Sequence, residues 1–268
     1  MSVNMSSERD STESRGAIMQ PTYLPWMGYF ALMSEVDTFV LLDSVQFHKH
    51  SWQQRNRIKT PDGIQWLTVP VLTKGRFHQT VEQVEINPSM DFRRKHLKAL
   101  EIVYHKAPHF AEYAPSIFEI IARPYTHLAE LTIALIRHLA AELKISTRIL
   151  RSSELGVDGS KAELLGNICQ SVGVNHYISP PGAAAYLVTD RSLSARGIRL
   201  SYSDFTPKPY PQANGDFFPL ASVVDALFQV GEKSRSLLEA GRGLLDGDTY
   251  HRRLLVNGTA QSIDEPMQ

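Results

Sequence analysis

The sequence holds a single cysteine, Cys169, which excludes an intrachain disulfide and a thiolate zinc site. Cys169 lies in "LLGNICQSVG", a helix-like stretch with no basic neighbour to lower a thiol pKa, and reads as a small buried hydrophobe. Net charge is also lacking, since 28 Lys+Arg balance 28 Asp+Glu. A neutral chain has no bulk attraction for nucleic acid or an anionic membrane, so neither is an expected partner. No run is long and apolar enough to span a bilayer, and the opening "MSVNMSSERDSTESRG" has no apolar signal-peptide centre. With one cysteine, that predicts a cytoplasmic location. There is no Walker loop, no GxGxxG and no GxSxG, which removes the standard phosphate cradles and the nucleophile elbow. His105 and His109 have metal-helix spacing, but Pro108 between them breaks the helix that would align them, so no zinc site is read there. No metal-ligating residue is assigned and no cofactor is expected, with the metal requirement left open.

What is present organises into three parts. Residues 1–15 are too polar to offset their ordering entropy and read as a disordered leader. Residues 16–240 form one α/β domain with a helical insertion at about 91–145, and 241–268 form a polar C-terminal tail. "RGAIMQ", "MGYFALMSEVD" and "TFVLLD" read strand, helix, strand, a crossover that makes the two strands parallel. "IQWLTVPVL" is a third strand ending near Pro70, and "GRFHQTVEQVEINP" alternates like another extended segment. In the insertion, Leu128, Leu131, Leu135, Leu139 and Leu143 form one apolar helical stripe. The chain then returns to strands in "STRILR", "NHYIS" and "GIRLSYSDF"; Ser160 and Glu163 predict a capping box on the helix between the first two. The expected fold is α/β around a mostly parallel sheet, Rossmann-like or HUP-like, with a helical insertion.

Ligands of open α/β sheets sit outside the carboxyl ends of the strands. The first strand runs into "QPTYLPWMGYF", where two prolines stiffen a turn carrying Gln20, Tyr23, Trp26 and Tyr29. Gly28 permits close backbone approach at the helix start. These groups suit stacking on a base or sugar; the competing reading is that the aromatics plug the sheet end. The second strand runs into "DSVQFHKHSWQQRNRIK", which between Ser44 and Thr60 has no acid. Lys49, Arg55 and Arg57 suit phosphate or carboxylate, with Trp52 to stack and Gln46 and Asn56 to hydrogen-bond. A solvated basic loop is the plainer alternative. Asp43 ends the second strand and reads as a general base, a metal-water ligand, a ribose-hydroxyl acceptor or a turn former. Further candidates are His96 and Tyr104 on a helix, and Lys208, Tyr210 and Gln212 in the stiff loop "PKPYPQANGDFFP".

With "QPTYLPWMGYF", "FVLLDSVQFHKHSWQQRNRIK" before "WLTVPV", "YISPPGAAAYL" and "SVVDALF" in order, the chain resembles the WbqC-like family over most of residues 16–235. Relatives commonly carry two consecutive acids after the second strand. Here Ser44 follows Asp43, so a two-carboxylate mechanism lacks its second group. The resemblance implies surface polysaccharide (O-antigen-type) biosynthesis and a transferase acting on a nucleotide-linked or phosphorylated sugar, with aminoacyl transfer to an amino sugar as one form. Asp43 and Lys49 are then the catalytic candidates, and the other residues named bind substrate. The alternatives are a nucleotidyltransferase or ligase that activates a carboxylate, and a non-catalytic binding or scaffold protein. The first crossover is similar to that of HUP-type nucleotidyltransferases, yet "LPWMGYF" has no histidine where they hold phosphates.

Overall fold

The computed structural model describes residues 12–257. Most of the expected leader therefore lies outside the described residues. Strand β1 (Arg15–Met19) passes through helix α1 (Met27–Met33) to β2 (Thr38–Leu41), and the two strands pair in parallel with Ala17 opposite Phe39. The chain then leaves the sheet. It builds a hairpin of β3 (Arg55–Thr60) and β4 (Gly63–Thr68), then a helical layer of α2 (Phe92–Tyr104), α3 (Phe110–Ala122) and α4 (Leu128–Glu142).

It re-enters the sheet as β5 (Arg148–Arg151) beside β2, and α5 (Lys161–Val172) carries it across to β6 (His176–Ser179) beside β1. Short α6 (Ala184–Leu187) precedes β7 (Arg199–Ser203), and α7 (Val223–Val230), α8 (Lys233–Gly241), β8 (Leu244–Asp246) and α9 (Gly247–Asn257) complete the described chain. The sheet order is β5-β2-β1-β6-β7-β8, with only β8 antiparallel. Strand order reverses direction at β1, so the turn after β1 opens at the switch point where such sheets take ligands.

Alternation along the strands decides the two layers. Ala17, Phe39, Leu41 and Ile178 face the helices α1, α3, α4, α7 and α8, whereas Ile18, Val40, Tyr177 and Tyr202 face α5 and α6. The leucine stripe of α4 is fully buried in the first layer, from Leu128 at 0% exposed to Leu143 at 1%. Each such leucine contributes about 1.5–3 kcal/mol by leaving water.

Four local expectations change. "GRFHQTVEQVEINP" makes a 3-10 turn at Val81–Gln83 and isolated bridges instead of a strand, because its partners at Gln46, Val71 and His127 lie on three different segments. The Ser160 side chain caps no amide, and Lys161 enters the helix with a left-handed φ of 47°, unlike the regular first turn a capping box needs. The basic stretch read as a loop becomes β3 from Arg55 onward. Part of the stretch read as a tail adds β8 to the sheet through pairing with Ser201, Tyr202 and Ser203.

Candidate functional site

Hairpin pairing sorts the basic stretch into two faces. Asn56 and Ile58 point into the core, at 1% and 0% exposed, so Arg55, Arg57 and Lys59 share the opposite face. On β4, Trp66 stands opposite Arg57. The Arg55 guanidinium carbon lies 4.3 Å from the Trp66 ring centre, and that of Arg57 lies 4.8 Å from Trp52, 5.2 Å from Trp66 and 5.1 Å from Phe218. The two indoles are 5.4 Å apart. Among the described residues, no carboxylate is within ion-pairing distance of either arginine, and both Nε atoms are buried without a hydrogen-bond partner. Burial and, secondarily, the Arg55 charge hold the Arg57 pKa below the usual guanidinium range. Two like charges set on aromatic faces with no acid between them have the chemistry to take an anion that also offers a flat ring. Lys49 is exposed on the turn leading into Trp52 and has no hydrogen bond or ion pair among the described residues; Gln46 is exposed at a bridge to Thr80.

The turn after β1 locks onto this hairpin. Tyr23 N donates to the Trp52 carbonyl at 3.2 Å, Asn56 Nδ2 donates to the Leu24 carbonyl at 2.7 Å, and Gln53 Nε2 donates to Gln20 Oε1 at 2.7 Å. The two turns therefore interlock rather than face each other across an open cleft. Cavities of about 370 and 260 Å³ lie elsewhere, the first between the hairpin tip and α2 and the second by Ser34, Asp37 and Arg235.

Several expected binding groups have become supports. Tyr23 is 0% exposed and bonds His96 Nδ1 at 2.9 Å; burial pushes that imidazole down to about 4 and the phenol up. Tyr29 is 1% exposed and donates to the Gln20 carbonyl. The space beside Gly28 is taken by the Trp26 indole, which a Cβ there would meet at 2.3 Å. That close approach explains the glycine, and the same indole packs edge-on to Phe205 at 5.6 Å. Tyr23 and Tyr29 present no face to a ligand, because they are spent closing the core, whereas Trp26 is half-buried.

Asp43 is fully buried and accepts four hydrogen bonds: Arg151 Nε at 2.7 Å and Ser153 Oγ at 3.0 Å on Oδ2, Ser152 Oγ at 3.1 Å and Ser153 N at 3.0 Å on Oδ1. The Ser44 hydroxyl joins the cluster at 2.9 Å from Ser152 Oγ. This shell joins the carboxyl ends of β2 and β5 and leaves Asp43 no lone pair turned outward.

A second carboxylate escaped the sequence reading. Asp225, on α7 and 1% exposed, accepts from Tyr104 on Oδ2 and from Tyr210 on Oδ1, each at 2.8 Å. Gln212 Nε2 donates to the Tyr210 hydroxyl at 2.9 Å. Burial raises the Asp225 pKa, against the pull of its phenol donors. A lone acid inside apolar "SVVDALF" was the available signal, since a buried carboxylate needs partners. Lys208 of the same loop is exposed. Trp66 was missed because its role depends on the β3 residue paired with it.

A line with the spacing of a nucleophile relay runs from Ser201 Oγ to His176 Nε2 at 2.8 Å and from Nδ1 to Glu13 at 2.7 Å. Ser201 is 0% exposed and His176 1%, and Glu13 is shared with Arg15 and Arg199. Burial also lowers the His176 pKa. The line closes the amino end of the sheet.

A family model described as the WbqC-like protein family matches residues 20–237. The chain belongs to that family. This WbqC-like protein is 39% identical over 224 residues to the uncharacterized protein Rv1507c of Mycobacterium tuberculosis, covering 83% of this chain and 96% of the relative. No solved structure matches it. Family membership points to a protein related to polysaccharide biosynthesis. Among the described residues, no helix of this WbqC-like protein is long and apolar enough to cross a membrane, and no group of three His, Cys, Asp or Glu could hold a metal ion.

Proposed function

We propose that the protein is a cytoplasmic transferase of surface polysaccharide biosynthesis that takes a nucleotide-linked sugar on the β3–β4 hairpin. The observation that supports this reading is the Arg55–Arg57 pair, laid on Trp66 and Trp52 with no carboxylate within ion-pairing distance among the described residues. A nucleoside diphosphate supplies both requirements, a base to stack and phosphates to neutralise the pair. In this reading Lys49, an exposed ammonium on the turn before Trp52, serves the reacting group, and positioning with charge stabilisation supplies the rate. Titration calorimetry with nucleotide-sugars tests the reading: binding is expected in the wild type and a loss of tenfold or more in Arg57→Ala. Equal affinity in both proteins removes the hairpin from the site.

The four-donor shell on Asp43 favours a second reading, a binding protein of the same pathway, because that carboxylate has no oxygen free to take a proton. Binding of nucleotide-sugars without turnover on any amino-sugar acceptor supports it.

A further inference from the structure

Lys59 is the third cation on the outer face of β3, two residues beyond Arg57, yet it is only 6% exposed. Strand geometry spaces alternate residues by about 6.6 Å, so Arg55, Arg57 and Lys59 form a straight row. The Lys59 ammonium donates to the Gly215 carbonyl at 2.8 Å, to the Asp216 carbonyl and to Gln212 Oε1 at 3.5 Å. All three acceptors are neutral, and among the described residues no carboxylate lies within ion-pairing distance. Asp225 lies near enough for the Lys59 charge to pull on its carboxyl, but it is not ion-paired to Lys59 and is engaged by the phenols of Tyr104 and Tyr210.

A buried ammonium held only by carbonyls is costly, and a chain that needed it merely to pin a loop could use a neutral donor. The strap from Phe205 to Leu220 has no helix or strand of its own and rests on this row at two places. One is the carbonyl cage on Lys59, and the other is the Phe218 ring on Arg57. Gln212 joins the two, accepting from Phe218 N at 2.8 Å and donating to the Tyr210 hydroxyl at 2.9 Å.

We infer that Lys59 is the ligand for a second phosphate: the arginine pair holds the first, and the second displaces the strap carbonyls from the Lys59 ammonium. The site then selects nucleoside diphosphates over monophosphates. This rests on the nucleotide reading of the hairpin proposed above and adds to it the number of phosphates and the group that counts them. The strap carbonyls stand where phosphate oxygens would be, so the cation is solvated when the ligand is absent and better paired when it is present.

The test compares nucleoside 5′-monophosphates, the matching diphosphates and inorganic pyrophosphate by titration calorimetry on the full chain. The wild type is expected to bind diphosphate at least tenfold more tightly than monophosphate. Lys59→Met is expected to bring that ratio to threefold or less while monophosphate affinity stays within twofold. Tyr210→Phe, which loosens the strap and keeps the ammonium, is expected to retain the preference. A tenfold preference surviving in Lys59→Met overturns the assignment, as does its loss in Tyr210→Phe, which would make the strap the selector. Hydrogen exchange on the wild type needs no variant to fold: amides of residues 213–216 should exchange faster with diphosphate and not with monophosphate. Identical exchange with both also overturns the inference. Pyrophosphate binding that is lost in Lys59→Met, with no nucleotide bound, keeps the lysine and discards the nucleotide reading. Binding of no phosphate compound discards both.

Discussion

Asn56 donates from Nδ2 to the Leu24 carbonyl at 2.7 Å while its Oδ1 accepts from Arg57 N at 2.7 Å. One buried amide thus ties the turn after β1 to the strand that carries the cations, and it sets the backbone at Arg57 itself. Asn56→Ala leaves a buried carbonyl and a buried amide unpaired and should cost about 1–3 kcal/mol in urea unfolding. Nucleotide affinity should fall with it, although Asn56 touches no ligand. A fully stable Asn56→Ala would mean that the hairpin is held by the Tyr23 and Gln53 hydrogen bonds instead.

Trp66 is 37% exposed and packs against Arg55, Arg57 and Trp52. Removing it should change stability little, because a cation–π pair at such an exposed site is worth about 0.5–1 kcal/mol. Ligand affinity should drop more than that. Quenching of tryptophan fluorescence by nucleotide should shrink in Trp66→Leu, and unchanged quenching would place the base elsewhere.

Asp43→Asn separates a structural carboxylate from a catalytic one. Asn keeps one acceptor oxygen, but its NH2, which accepts nothing, must face two of the four donors, either Arg151 Nε and Ser153 Oγ or Ser152 Oγ and Ser153 N. The variant should lose about 1–3 kcal/mol of stability, read from the urea midpoint, because charge-assisted bonds are lost in a buried setting. A variant as stable as wild type but inactive would return Asp43 to the role of base.

Glu35 carries a pH dependence unrelated to the site. Burial raises its carboxyl to about 7, against the opposing charges of Arg242 and Arg15, and its Oε2 is buried without a partner. A raised carboxyl is neutral in the folded state at pH 5 and ionises as pH passes 7, so its stabilising contribution is present below about 4.5 and lost as pH rises through 7. Glu35→Gln should therefore match wild type near pH 4.5 and exceed it by about 3 kcal/mol at pH 8. Thermal melts at the two pH values give the comparison; a constant difference would locate the effect in packing.

The parallel sheet was legible because "RGAIMQ", "TFVLLD" and "NHYIS" carry their apolar character in the chain itself, and the α4 leucine stripe repeats at helical spacing. The hairpin was half legible. "IQWLTVPVL" reads as a strand alone, whereas "RNRIK" has too many charges to show a buried face until Ile58 and Asn56 meet the core. Among the candidate site residues, Arg55, Arg57 and Trp52 were visible as a basic stretch with an aromatic in it.

Composition and periodicity, then, determine by themselves that this chain forms an α/β sheet with a helical layer, because local apolar spacing is enough to choose helix or strand. Which aromatics stay exposed beside the arginines and which close the core was decided only in three dimensions. Tyr23 and Trp66 look alike as letters, but one lies under the sheet end against His96 and the other stands opposite Arg57. The difference arises from pairings between residues far apart in the chain, among them Asn56 with Leu24 and Lys59 with Gly215, and no local pattern encodes them.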